Sequence, residues 1–177
     1  MVNVFVHPVT KEPLIADEHG CLWCRDNQDV VVVRPSDGCY DFANLYQSGG
    51  DRAYYDSHYH HGAADPRSVL GVDRLRKSWE QDTSFKLLRD MVGDVRERRV
   101  LLLGNGVSVK ELYFVFEGAD DFYTDVSLEA VRAVKCQYQV SGLPVSGAGA
   151  IQFHAVDALH LPFEDQAFDI IYGCAFV

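Results

Sequence analysis

An open parallel α/β sheet preceded by a small β-rich segment is the fold this sequence predicts, and three observations predict it. From Arg99 onward, short apolar runs alternate with helical periodicity: VLLL at 100–103, an apolar face at Val109, Leu112, Tyr113 and Phe116, then DFYTDV at 121–126. Continuously apolar runs fit parallel strands covered on both faces, and a strand–helix–strand succession builds an open parallel sheet. Residues 1–48 have a different texture, with short apolar runs separated by turn residues, the mark of a small β-rich unit. Residues 49–98 lie between the two and read as a helical linker or cap.

Taken in order, VNVFV, HPVTKEP, LIADEHG, CLWC and DVVVVRPSDG give the N-terminal rhythm of strand and tight turn. QSGG at Gln47–Gly50 is the expected joint. A helical region follows over roughly 66–92, where Val72, Leu75 and Trp79, then Phe85, Leu88 and Val92, recur at three and four residues. After VLLL, Ser108-x-x-Glu111 has the spacing of a capping box that would start the next helix. Ser127 is placed to cap a further helix with Leu128, Val131 and Val134 on its inner face. The loop SGLPVSGAG leads to a third strand, IQFHAV, and a fourth, FDIIYGCAFV.

Composition narrows the function classes. The chain of 177 residues suits one ordinary domain with a small appendage, and 47% hydrophobic with 12% aromatic residues suffice for a packed core. A net charge of −10 opposes sequence-independent binding to nucleic acid or anionic lipid. Arg96, Arg98, Arg99 and the DRLRK run read as solvated helix faces, which leaves nucleic-acid binding undecided. No apolar run reaches the length of a membrane span or a signal peptide, so a cytoplasmic location is expected. Five scattered cysteines fit a reducing compartment better than a disulfide framework.

The chemistry-bearing residues lie in three places. Gly104-Asn105-Gly106 joins a buried strand to a helix, and glycines there let a ligand approach backbone N–H groups. A plain tight turn would use the same residues. Asp125, at the end of the second strand, stands where a carboxylate can take both hydroxyls of a ribose, with Val126 beside it. Together they indicate a nucleoside ligand. The dinucleotide fingerprint wants a third glycine where this chain has Val109, so a pyrophosphate is poorly provided for.

The third place is VDALHLPFEDQAFDII at 156–171. With Asp157-Ala158, Leu161-Pro162-Phe163, Asp165 and Phe168-Asp169, the chain resembles the class I S-adenosylmethionine-dependent methyltransferases, over about residues 99–177. LLLGNGVS is similar to that family's first motif and YTDVS to its acidic second-strand end. The chain departs from the family in having Leu102 or Leu103 where an acidic residue is usual, and Ser108 where glycine is frequent. The resemblance implies a Rossmann-like core with S-adenosylmethionine as cofactor. Gly104, Asn105 and Gly106 would hold the methionyl end, Asp125 the ribose, and Asp157 with Ala158 the adenine. Gly173 and Cys174 would border the methyl group. It implies methyl transfer to an acceptor that the sequence does not identify, and no catalytic base is designated. A non-catalytic cofactor-binding or scaffold relative and an NAD(P)-dependent oxidoreductase are the competing expectations.

The N-terminal segment is similar to the zinc-ribbon-like unit that precedes some methyltransferase domains. Of its two Cys-x-x-Cys pairs only Cys21 and Cys24 are present, with His7 and Thr10 in the place of the other pair. His7 and Cys39 are the candidates to complete a four-ligand set, but a metal-free, degenerate ribbon is the expectation. The run YYDSHYHHG at 54–62 allows a solvated loop, closure of the cofactor site, or metal binding by His58, His60 and His61. Full sheets of the family have seven strands, and four are supplied here before Val177. The expectation is therefore a fragment, or a homo-oligomer paired through the open sheet edge.

Overall fold

Side chains hold the turns of the N-terminal segment. His7 Nδ1 accepts from the amides of Val9 and Thr10 at 3.3 and 3.2 Å. Asp17 accepts from the amides of His19 and Cys21 with one oxygen and from Trp23 Nε1 with the other, at 2.8–2.9 Å. These acceptors satisfy the amides of the two turns. The structure is a computed structural model describing residues 4–26, 31–45, 49–60, 71–142 and 147–173. Between and after these turns, β1 (Leu14–Ala16), β2 (Leu22–Cys24) and β3 (Val31–Val33) form an antiparallel sheet in that order. Phe5 and Val6, expected in a strand, make only single bridges, to Phe163 and Pro13.

The hairpin β4 (Pro35–Ser36) and β5 (Cys39–Asp41) leaves this small sheet and joins the large one. After a 3-10 turn at Ala43–Leu45 come α1 (Gly49–His60), α2 (Val72–Gln81) and α3 (Thr83–Val92). The helical stretch expected at 66–92 is thus broken, within its described part, at Asp82, which caps α3 by accepting from Ser84 N at 2.8 Å. Leu75, Trp79 and Phe85 are buried, in accord with the periodicity.

Next come β6 (Arg99–Leu103), α4 (Leu112–Phe116), β7 (Asp120–Asp125), α5 (Leu128–Val140), β8 (Ile151–Ala155) and β9 (Ile170–Gly173). The six-stranded sheet has the order β4-β5-β8-β7-β6-β9, parallel throughout except for the β4–β5 hairpin. The chain is therefore an α/β protein with a Rossmann-like, mostly parallel open sheet and an N-terminal antiparallel sheet. Ser127 caps α5 by accepting from Ala130 N at 3.2 Å. The expected capping box does not form. Helix α4 starts at Leu112, with Glu111 at its N-cap making no cap bond, because Ser108 Oγ accepts instead from Lys110 N within the turn.

The strands are apolar on both sides because both faces are covered. Val100, Leu102, Tyr123 and Phe153 pack under the helices with Leu75, Trp79, Phe85, Val131 and Val134. Leu101, Phe122 and Val156 face the other way, against Val4, Phe5, Leu14, Leu22, Val33 and Phe42. The N-terminal segment is thus the second covering layer of the sheet. Its strand β5 also extends that sheet, pairing Tyr40 with His154 and Asp41 with Ala155. These contacts run between residues on either side of position 48, and a one-dimensional change of texture does not reveal them.

Candidate functional site

Strand β6 ends because Gly104 and Gly106 adopt φ of +62° and +58°, conformations costly for residues with a Cβ. The Gly104 amide still donates to Thr124 O at 3.0 Å, so the turn stays docked on β7. The Gly106 amide donates to Asp125 Oδ2 at 2.8 Å, and the Ser127 amide to Asp125 Oδ1 at 2.9 Å. Asp125 is thereby fixed beside the glycine turn, only 6% exposed. Burial raises its carboxyl above the ordinary range, opposed by the two amides and reinforced by the charge of Asp56.

Below the turn, the Tyr123 hydroxyl donates to Ser108 O at 2.8 Å and lies 3.3 Å from Gly106 O. The loop is supported from beneath by a buried phenol. Asn105 is 7% exposed, and neither its Oδ1 nor its Nδ2 has a partner. Glu111 is 3% exposed, with Oε2 also unpartnered, and burial raises its carboxyl. Buried polar atoms without partners are costly, and a polar ligand group would satisfy them.

Above the turn lies α1. A Cβ placed on Gly106 would come within 2.6 Å of the Tyr59 hydroxyl, so the tyrosine covers the turn directly. Burial, then the nearby Asp125, raises the Tyr59 phenol. The helix is anchored on both sides. Arg52 grips Asp41 of β5 with two bonds of 2.9 and 2.7 Å and reaches Asp56 at 3.3 Å. Asp56 in turn accepts from Ser127 Oγ at 2.6 Å. One chain of bonds thus runs from β5 through α1 to the residue that holds Asp125.

The run at 54–62 is helix, within α1, up to His60; His61 and Gly62 lie outside the described residues. His58 is exposed, stacks on Tyr54 at 6.1 Å and meets Tyr59 edge-on at 5.2 Å. Among the described residues no three His, Cys, Asp or Glu side chains converge on a metal site. Cys39 sits in β5 against Lys135 Nζ at 3.7 Å, and burial raises its thiol.

The sheet brings the predicted residues to one edge. Leu103, just before Gly104, lies opposite Thr124 on one side and Gly173 on the other. Asp125, with Val126 after it, lies opposite Ala155. Asp157 and Ala158 continue from β8, where the Val156 amide donates to Asp125 O at 2.8 Å. Asp157 Oδ1 accepts from Leu159 N at 2.9 Å, and Oδ2 pairs with His160 Nδ1 at 3.1 Å. Cys174 lies outside the described residues. Gly104, Asn105, Gly106, Asp125, Val126, Asp157, Ala158 and Gly173 therefore share the carboxyl edge of β6–β9. The strand order reverses between β6 and β9, where open α/β sheets hold their ligands.

Sequence reasoning singled out neither Tyr59 by itself nor the Arg52–Asp56–Ser127 chain. The i,i+4 spacing of Arg52 and Asp56, with Tyr59 three residues on, was the available signal.

No family model and no curated protein sequence matches the chain. Solved structures similar to it include the YcgJ protein from Bacillus subtilis, at 27% identity and a TM-score of 0.44, over 50% of this chain and 36% of that one. A SAM-dependent methyltransferase from Methanosarcina mazei matches at 22% identity and a TM-score of 0.43, over 48% and 39%. Magnesium protoporphyrin IX methyltransferase from Synechocystis PCC 6803, with bound SAH, matches at 18% identity and a TM-score of 0.47, over 70% and 56%. The chain thus spans well under two thirds of the length of each of these structures.

Proposed function

We propose that the chain binds S-adenosylmethionine at the carboxyl edge of β6–β9 and acts as a methyltransferase or as its cofactor-binding half. The observation that carries this reading is the joint between Gly106 and Asp125, a glycine amide and a strand-end carboxylate locked together beside the unpartnered Asn105 amide. The residues fit the group. Each Asp125 oxygen accepts one amide and keeps a lone pair for a ribose hydroxyl. In this reading Asp157 would receive the adenine amino group with the lone pairs left beside its bonds to Leu159 N and His160 Nδ1, and Gly173 would border the crevice at the end of β9. Bound S-adenosylmethionine supplies an electrophilic methyl on its sulfonium. The chain's own part is positioning and exclusion of water: the glycine turn seats the ligand, Asp125 orients its sugar, and Tyr59 closes the crevice.

A dinucleotide is disfavoured by the loop itself. Residues 107–111 form turns and irregular backbone, and α4 has only five residues, so no long helix points its amides at a pyrophosphate. The edge strand β9, paired on one side with β6, is where a second copy of the chain would add to the sheet. A cytoplasmic setting is supported by the free thiols of Cys21, Cys24, Cys39 and Cys136. Among the described residues, no helix is long and apolar enough to cross a membrane.

Calorimetry with S-adenosylmethionine and S-adenosylhomocysteine, on the chain and on Asp125→Ala, tests the reading. Loss of charge-assisted hydrogen bonds in a buried site weakens binding by about 1.5–3 kcal/mol. Unchanged affinity removes Asp125 from the site. Tight binding without transfer of a tritiated methyl to any acceptor leaves a binding protein rather than an enzyme.

A further inference from the structure

Helix α1 carries four aromatic rings that neither apolar core takes in. Tyr55 stacks on Tyr59 at 6.2 Å, and Tyr54 on His58 at 6.1 Å, each pair with ring planes 15° apart. The two pairs meet edge-on, Tyr54 against Tyr55 and His58 against Tyr59, both at 5.2 Å. Tyr54 is 63% exposed and Tyr55 40%. One end of the cluster is fixed to the crevice, because the Tyr59 hydroxyl stands 2.6 Å from where a Cβ on Gly106 would lie. The other rings extend from that point into solvent. A contiguous aromatic surface left in water adds nothing to the core and marks a binding face.

Charge selects among ligands for that face. The flat side of an aromatic ring is the negative side of its quadrupole. Arg52, the only Arg or Lys between Gly49 and His60, is spent on Asp41 and Asp56. The Tyr59 phenol is raised by burial and then by Asp125, Tyr55 and Tyr54, so three phenols and a carboxylate stand within electrostatic reach of one another. The whole chain carries a net charge of −10. Such a surface repels phosphates and carboxylates and attracts a positively charged nitrogen, which sits well over ring faces.

We propose that the face of α1 formed by Tyr54, Tyr55, His58 and Tyr59 binds a cationic nitrogen group. Resting on the function proposed above, that group belongs to the methyl acceptor, which α1 holds beside the crevice that Tyr59 covers. The acceptor is then an alkylammonium-bearing molecule, and not a phosphate or a carboxylate.

Choline tests the proposal against 3,3-dimethylbutan-1-ol, which has the same shape with carbon in place of the charged nitrogen. Both are titrated into the chain, followed by the NMR signals of their nine equivalent methyl protons, without and with saturating S-adenosylhomocysteine. Choline should bind at least fivefold tighter than the neutral alcohol. Tyr54→Leu and Tyr55→Leu should each weaken choline at least threefold, while Tyr55→Phe, which keeps the ring, stays within twofold of the unmodified chain. Equal binding of the two probes overturns the proposal. So does choline binding that survives both leucine variants, which is attraction to the acidic chain at large. An acceptor and its cofactor must be held together, so exclusion of choline by S-adenosylhomocysteine also overturns the acceptor role. A chain that binds choline but not S-adenosylhomocysteine loses the cofactor reading, and the acceptor role with it, and keeps the cation site. Calorimetry with S-adenosylhomocysteine on the leucine variants, with affinity expected within twofold, separates loss of this face from misfolding.

Discussion

His154 shows how a single side chain can join two parts of a fold. Its Nδ1 accepts from Tyr40 N at 3.2 Å, its ring stacks on Tyr40 at 5.3 Å, and Phe5 meets it edge-on at 5.1 Å. Burial pushes its pKa down to about 3 from 6.5, so the folded protein holds it neutral. A lowered pKa means that the folded state binds fewer protons than the unfolded one. The stability His154 contributes is therefore present above pH 6.5 and lost as pH falls toward 3. The loss reaches roughly 3 kcal/mol at pH 4. His154→Asn keeps an acceptor near the Nδ1 position and cannot take the proton. Urea unfolding at pH 7 and pH 4 should show a smaller difference for the variant than for the unmodified chain. Nothing in IQFHAV announces this role, because the partner lies 114 residues away in sequence.

Among the elements, those with a local signal were legible. Ser127 reads as a cap and is one, and the apolar positions of α5 and of α2–α3 face the core as their spacing requires. Asp125 reads as a strand-end carboxylate and sits at the end of β7. Ser108 and Glu111 misled, because the same two residues can start a helix or fold into a turn, and backbone bonding around Asn105 decided for the turn. Helix α1 falls in the expected helical linker, yet its run of Tyr and His has no apolar stripe, so the sequence leaves a solvated loop, site closure and metal binding all open there. Its place is set by ion pairs. The Arg52–Asp41 pair is mostly buried, with both side chains 18% exposed. Arg52→Ala leaves the Asp41 carboxylate without its two bonds and should cost about 2–3 kcal/mol in urea unfolding. Proteolysis within α1 should quicken by more than that global loss explains.

At the scale of the molecule, the sheet was legible from Arg99 onward and its edge beyond β8 was not. β5 has three residues and pairs with β8 through two of them, too short a stretch to carry a period. Deleting residues 1–48 would bare the outer edge of β8 and uncover Leu101, Phe122, Val156 and Phe163 together. Such a truncated chain should lose its cooperative melt and aggregate, as size-exclusion and circular dichroism would show.

The loop after Asp157 is stapled to the same N-terminal segment. Val6 N donates to Pro162 O, Glu164 N to Val4 O, and Lys11 Nζ to Leu161 O, each at 3.0 Å. That bank of the crevice is fixed by three ties. The opposite bank is a single helix hung from Arg52 and Asp56, with one phenol resting on Gly106. The arginine that ties down the outermost parallel strand is thus also the one that keeps the Tyr59 phenol seated over the glycine turn.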